Sequence, residues 1–269
     1  MTFKEPYPLS DGQLLDLFLS PIRSCATYQP AFGRSKQGVS LSDFRTLYGG
    51  DPFYSWLGLD DPMLYAAHKA AGGLTSLYRQ IGVGAERLFR HILRVMFELS
   101  DGQMLWQYQY TKPNGKLAAH TLDALIRCDD LHEEARHRLS QWIIAAQSPL
   151  SVTGATAAVD GVVFEVRQGY KSADSKRQNA DLRFGMRAYQ AGLIPTFVIL
   201  STQVNQSVIH RYRTDGMVVL TGVLSDDPTQ STFAFLEQVA GYDLAEFFQR
   251  NHEPLQTQIR EIIALLLTP

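Results

Sequence analysis

The segment from residue 160 to residue 181, DGVVFEVRQGYKSADSKRQNAD, joins an apolar run with one acid at its centre to a run of charged and amide side chains. If VVFEVRQ is a strand, Val162, Phe164 and Val166 lie on one face, while Glu165 and Arg167 lie on the other. A carboxylate on a central strand is costly to desolvate unless it is paired or binds a cation. Glu165 therefore needs a partner.

Outward from this strand, hydrophobic periodicity and turn signals predict the neighbouring elements. An Asn114-Gly115 pair between alternating side chains is a strong hairpin signal. Gly192 is expected to end one helix, which Asp174 can cap, and Pro195 opens the apolar strand TFVILS. The remaining predictions are helices at 84–99, 131–147, 204–213, 230–250 and 253–267, and strands at 104–111, 116–127 and 217–220. This order predicts an α/β (α+β) fold with a mixed central sheet flanked by helices.

We expect one domain over residues 1–269, with a variable N-terminal layer at 1–80, a core at 84–222 and C-terminal helices at 223–269. The first 80 residues are irregular in pattern, with a short helix at Asp11 to Leu19 and loops around Gly49-Gly50 and Gly72-Gly73. The chain has 269 residues, of which 45% are apolar, and no run approaches the roughly 18 apolar residues of a membrane span. The opening segment has no export signal, so a cytoplasmic protein is expected.

Two counts exclude other classes of protein. Only two cysteines occur, Cys25 and Cys128, and neither lies in a CxxC pair, which argues against a disulfide framework or a zinc site. A formal charge of -2 excludes a uniformly basic surface but leaves room for a local basic face.

The triplet Glu165-Val166-Arg167, entered from an acid at Asp160 and followed by a basic helix and an apolar strand, resembles the core of PD-(D/E)XK nucleases. The likeness covers about residues 84 to 222. With its length and its additional N- and C-terminal layers, the chain is most similar to type II restriction endonucleases. In that superfamily, an acid on one strand and an acid-x-Lys triplet on the next hold Mg²⁺ against the scissile phosphate. The resemblance therefore implies a restriction-endonuclease-like core, Mg²⁺ as the cofactor and hydrolysis of phosphodiester bonds in double-stranded DNA.

Carried over to this chain, the resemblance makes Glu165 the second metal-binding carboxylate and Asp160 the first. A break at Gly161 is needed, because an unbroken strand would point Asp160 and Glu165 to opposite faces. Asp123, in HTLDALI, is the alternative first acid. Arg167 or Lys171 stands in for the lysine of the triplet, and Lys171 is the better proton acceptor, because arginine stays protonated. Glu86 resembles the auxiliary acid on the first core helix.

DNA contacts are expected from polar and basic side chains after the catalytic strand and after the last core strand. These are Lys176, Arg177, Gln178, Asn179, Gln203, Asn205, Arg211 and Arg213. Cutting both strands of a palindromic site requires two active centres, which predicts a homodimer, and a cognate methyltransferase is the expected genetic partner. Two alternatives stay open: a repair or RNA nuclease of the same fold, and a non-catalytic DNA-binding protein that keeps the fold.

Overall fold

The computed structural model describes residues 9–32, 38–111, 114–150, 159–169 and 175–269, with the backbone alone for 175–180. Its helices are α1 (Asp11–Arg23), α2 (Leu41–Gly49), α3 (Pro52–Trp56), α4 (Pro62–Met96), α5 (Glu133–Gln147), α6 (Ser175–Gln190), α7 (Gln206–Thr214), α8 (Thr232–Phe235), α9 (Leu244–Arg250) and α10 (His252–Leu267). Its strands are β1 (Gln107–Thr111), β2 (Leu117–Thr121), β3 (Ala124–Arg127), β4 (Gly161–Arg167), β5 (Leu193–Ile199) and β6 (Val218–Leu220). Within these ranges, no helix has both the length and the apolar character that crossing a membrane requires.

The chain divides into two compact units: one contains Ala85–Phe248, and the other contains Asp11–Gly84 and Gln249–Pro269. The second unit is helical in its described residues, so the prediction of irregular structure there is wrong. Its buried core is formed by Leu19, Ile22, Cys25, Leu77, Ile262 and Leu266.

The loop predicted around Gly72-Gly73 is also wrong, because both glycines lie inside α4. A Cβ atom at Gly72 would collide with the ring of Tyr28, and one at Gly73 would collide with the side chain of Leu266. The two glycines therefore allow close packing against the helix. Without knowledge of the packing, the same pair indicates a turn.

The unit at Ala85–Phe248 is built on a four-stranded mixed sheet in the order β3-β4-β5-β6. β3 pairs with β4 in the antiparallel sense, while β4 with β5 and β5 with β6 are parallel. β1 and β2 form a separate two-stranded hairpin, whose turn contains Gly115 at a φ of 78°. The predicted α/β class with a mixed sheet flanked by helices is confirmed.

Helices cover both faces of the central strand β4, as expected for a strand with parallel neighbours. On one face, the Phe164 ring contacts Phe89 of α4 at 5.3 Å and Phe235 of α8 at 5.6 Å. On the other face, Val163 and Phe197 belong to a buried cluster with residues of α6 and α7. β4 is therefore buried along almost its whole length.

Two predicted elements are divided in the structure. The strand predicted at 116–127 is interrupted at Leu122 and Asp123, so β2 pairs with β1 while β3 pairs with β4. The helix predicted at 230–250 is divided into α8, a π-helical turn and α9, with Gly241 at a φ of 89° ending the π-helical turn. The helix end predicted at Gly192 is confirmed, since α6 ends at Gln190 and Gly192 has a φ of 71°.

Candidate active site

Glu165 and Arg167 form an ion pair on the buried face of β4. The Glu165 side chain is only 5% exposed, and that of Arg167 is 20% exposed. Arg167 Nη2 contacts Glu165 Oε1, while Nη1 donates a hydrogen bond to the carbonyl oxygen of Val166 at 3.2 Å. The partner that the sequence demanded for Glu165 is therefore its neighbour two residues along the strand.

Asp123 is locked against β4 by two backbone hydrogen bonds. Its N–H donates to the carbonyl oxygen of Phe164 at 3.1 Å, and its Oδ2 accepts from the N–H of Val166 at 2.6 Å. The Arg90 guanidinium of α4 donates to the Asp123 carbonyl oxygen at 3.3 Å. The break between β2 and β3 thus turns the carboxyl group of Asp123 toward the strand that carries Glu165.

Three carboxyl groups from different elements influence one another electrostatically at this point. Burial, followed by the charges of Glu165 and Glu86, raises the pKa of Asp123 to about 8, although the Val166 N–H and Arg167 oppose the shift. Burial and the charge of Glu165 likewise raise the pKa of Glu86 on α4. Like charges that share a poorly solvated site disfavour ionisation. Asp123 therefore keeps its proton at neutral pH.

Arg167 is shared with a further acid, Asp181 of α6. Its Nη2 lies 3.8 Å from Asp181 Oδ1, and the hydroxyl of Tyr212 on α7 donates to Asp181 Oδ2 at 2.6 Å. Burial lowers the pKa of the guanidinium, but the charges of Glu165, Asp181 and Asp123 outweigh burial and raise it overall. Arg167 therefore stays charged among these acids.

His120 lies beside the second oxygen of Glu165. Its Nε2 is 3.7 Å from Glu165 Oε2, its side chain is 41% exposed, and its ring contacts that of Tyr108 at 5.5 Å across the β1–β2 hairpin. Burial and the charge of Glu165 raise the pKa of Tyr108 to about 12. The imidazole beside the buried carboxylate is thus partly exposed to solvent.

The donor set suits a divalent cation held by two carboxylates. Glu165 Oε2 and Arg167 Nε are buried without a hydrogen-bond partner among the described residues. The same residues contain no group of three or more His, Cys, Asp or Glu side chains arranged around a metal position. Mg²⁺ does not need such a group, because it is usually bound through one or two carboxylates, several waters and substrate phosphates. Asp123 and Glu165 therefore fit the role as a pair.

The structure does not bring Asp160 to Glu165. Asp160 precedes β4, and its carboxylate is 55% exposed and lies 3.4 Å from Arg127 Nη1. Five residues of strand separate the two acids by about 16 Å. The break at Gly161 expected from the sequence does not unite them, because Gly161 is the first residue of β4. Asp123, the alternative first acid, is the residue brought beside Glu165.

The structure describes only some of the other predicted site residues. Lys171 lies outside the described residues, as do the side chains of Lys176, Arg177, Gln178 and Asn179 on α6.

Asn205 and Arg213, both predicted to contact DNA, make hydrogen bonds within the protein. Asn205 caps α7 by accepting from the N–H of Ser207, and Arg213 donates to the Val219 carbonyl oxygen at 3.3 Å. Gln203 is exposed, and Arg211 is partly exposed.

Three residues of the site were not predicted from the sequence: His120, Asp181 and Tyr212. The hairpin signal at Asn114-Gly115 could have indicated His120, because it sets the register that pairs His120 with Tyr108. Asp181 and Tyr212 had no local signal, since their contact joins two helices separated by β5.

Comparison of the chain with models of protein families, with curated proteins and with solved structures found no match.

Proposed function

We propose that this protein is a Mg²⁺-dependent, site-specific DNA endonuclease that hydrolyses phosphodiester bonds at the acids around Arg167. The observation that carries the proposal is the convergence of Glu86 from α4, Asp123 from the bend before β3 and Glu165 from β4 around one guanidinium. Each acid comes from a different element, so the cluster depends on the tertiary fold. Such clusters of titratable groups with raised pKa values are typical of functional sites.

Asp123 and Glu165 would hold the cation, with Glu86 as the outlying acid. Bound Mg²⁺ would supply Lewis-acid stabilisation of the charge that develops on the phosphate. Asp123, whose pKa is raised to about 8, must release its proton to serve as a ligand. Cation affinity is therefore linked to pH. Glu165 contributes Oε2, because Oε1 is already in contact with Arg167.

Arg167 serves this reaction as a fixed positive charge. A guanidinium does not accept a proton at physiological pH, so it keeps its positive charge throughout the reaction. Its position beside the acids suits stabilisation of an anionic transition state. Lys171 stays the proposed residue for orienting water.

Restriction-type specificity, a homodimer and a cognate methyltransferase belong to the same proposal, and the resemblance of the Glu165 triplet to PD-(D/E)XK nucleases supports them. The predicted DNA contacts at Gln203 and Arg211 are compatible with it, because both side chains are at least partly exposed. Phosphate contacts from such residues position a duplex, whereas contacts to base edges specify its sequence.

The test measures cleavage of unmethylated phage DNA in the presence of Mg²⁺. It compares variants at two acids of the same segment, Glu165 and Asp160. We expect discrete fragments from the wild-type chain. Glu165→Gln should lower the rate by about a hundredfold or more, the order found when a group that stabilises transition-state charge is removed. Asp160→Asn is the matched control and should cut at the wild-type rate, because Asp160 is exposed and pairs with Arg127. Intact DNA with wild-type protein, or equal losses in both variants, would contradict the proposal.

A second candidate function is a non-catalytic DNA-binding protein. The ion pair between Arg167 and Glu165 favours it, because this pair neutralises the acid without a metal. In that case wild-type protein would bind duplex DNA with the same affinity with and without Mg²⁺, and Glu165→Gln would leave binding unchanged. Cleavage that depends on Glu165 excludes this candidate.

A further inference from the structure

The guanidinium of Arg167 is held from two sides by acids on different elements. Glu165 of β4 contacts Nη2 through Oε1, and Asp181 of α6 approaches the same nitrogen to 3.8 Å. A third contact runs from Nη1 to the Val166 carbonyl oxygen at 3.2 Å. Together these contacts fix both the place and the plane of the guanidinium.

Asp181 is itself held in place by Tyr212. The Tyr212 hydroxyl donates to Asp181 Oδ2 at 2.6 Å, and the two residues are 1% and 6% exposed. The Tyr212 ring stacks on Phe197 with centroids 4.7 Å apart, and Phe197 lies opposite Glu165 in the β4–β5 register. The contacts therefore link α7 through α6 to the strand that carries the catalytic acid.

We propose that Asp181 and Tyr212 are positioning residues, which hold Arg167 as the cation that faces the substrate phosphate. This inference rests on the proposed nuclease function for its purpose. This chain has Arg167 at the position where PD-(D/E)XK nucleases have a lysine. We connect the acid on α6 with this exchange of lysine for arginine. A lysine presents a compact charge on a flexible stem, whereas a guanidinium must be oriented in its plane to use its fork.

The charges explain why a second acid is needed. If Glu165 were the sole carboxylate holding Arg167, the guanidinium could satisfy both carboxylate oxygens in a bidentate pair. Asp181 Oδ1 lies 3.8 Å from Nη2, and Glu165 Oε2 has no hydrogen-bond partner among the described residues. The His120 Nε2 atom lies 3.7 Å from this second oxygen. Arg167 Nε is likewise buried without such a partner.

The first test uses two tyrosine hydroxyls that donate hydrogen bonds as a matched pair. Tyr212→Phe removes the hydrogen bond to Asp181. Tyr189 lies on the same helix as Asp181, and Tyr189→Phe removes its hydrogen bond of 2.5 Å to the Gly216 carbonyl oxygen. Both variants should lower Tm to a similar extent. Only Tyr212→Phe should lower the cleavage rate, by about tenfold, the loss expected from one misplaced charge-assisted hydrogen bond. Equal rates in the two variants would overturn the positioning role.

The second test supplies the missing cation from solution. Arg167→Ala leaves a space that solvent can reach, because the arginine side chain is 20% exposed. Methylguanidinium should restore cleavage to Arg167→Ala about tenfold or more, and it should raise the Tm of this variant through ligand linkage. The double variant Arg167→Ala, Asp181→Asn should show neither effect. Should Arg167→Ala not fold, the tyrosine pair decides the question.

The two readouts separate the inference from the proposed function. If wild-type protein cuts DNA but rescue is the same with and without Asp181, the inference falls and the nuclease stands. If wild-type protein does not cut, yet methylguanidinium raises Tm in an Asp181-dependent way, the nuclease falls and the guanidinium site stands. Absence of both rescue and the Tm rise with a folded Arg167→Ala overturns the inference.

Discussion

Replacing Asp123 by Asn should make the folded protein more stable while it abolishes cation-dependent cleavage. Asp123 lies between β2 and β3, and its carboxyl group accepts a hydrogen bond from the Val166 N–H of β4 at 2.6 Å. An asparagine oxygen can accept the same hydrogen bond. Burial, with the charges of Glu165 and Glu86, raises the pKa of Asp123 to about 8. Asparagine keeps the shape of the side chain and removes the charge that this site disfavours.

The magnitude follows from linkage between protonation and folding. Because the folded-state pKa lies above the ordinary value of 3.8, the contribution of Asp123 is fully present below about pH 4 and is lost as the pH rises toward 8. The loss is about 1.4 kcal/mol per pH unit in this interval. Relative to wild type, Asp123→Asn should therefore gain on the order of 2 kcal/mol in unfolding free energy at pH 5 and on the order of 6 kcal/mol at pH 9.

Urea unfolding at pH 5, 7 and 9 without divalent cations measures this difference. Asp160→Asn is the control, because its exposed carboxylate should change the unfolding free energy by less than about 0.5 kcal/mol at each pH. Addition of Mg²⁺ at pH 8 should raise the Tm of wild type and leave that of Asp123→Asn unchanged. If the unfolding free energy of Asp123→Asn does not exceed that of wild type at pH 9, the argument that burial and neighbouring carboxylates disfavour the charge of Asp123 is refuted.

Three further outcomes concern the fold and are measured by urea unfolding at pH 7. Phe164→Ala should lower the unfolding free energy by about 3–5 kcal/mol, because the Phe164 ring is fully buried between aromatic rings of two helices. A smaller loss for Phe164→Ala than for Phe164→Leu would contradict this packing. Gly161→Ala should cost more than about 1 kcal/mol, since the added Cβ collides with the Ile126 carbonyl oxygen; wild-type stability would contradict that approach. Trp56→Ser should change stability by less than about 0.5 kcal/mol, because Trp56 is 83% exposed, and a large loss would show that it packs.

The sheet and its helices could be predicted because their signals are local. The apolar run VVFEV, the Asn114-Gly115 turn and the helix end at Gly192 are each readable within a few residues, and the structure has β4, the hairpin and the end of α6 there. The glycines inside α4 could not be read in this way. Their role is to admit Tyr28 and Leu266, which come from distant parts of the chain.

The candidate site could be predicted only where it lies on one strand. The pairing of Glu165 with Arg167 follows from alternation along β4. The choice between Asp160 and Asp123 required the antiparallel register of β3 and β4, which sets Ala124 opposite Phe164 and so brings the preceding Asp123 to Val166. Proximity in sequence favoured Asp160, but five residues along a strand is a greater distance than one step across a sheet.

The balance of charge argues that Glu165 is more than one half of a structural ion pair. A structural pair needs one acid for one base, and any additional buried acid adds a desolvation cost without a partner. Here Glu165, Asp181 and Asp123 all act on the charge of Arg167, and Glu86 lies close enough to raise the pKa of Asp123. The presence of these acids around one guanidinium supports the proposed site, which would take up a cation and release a proton as it does so.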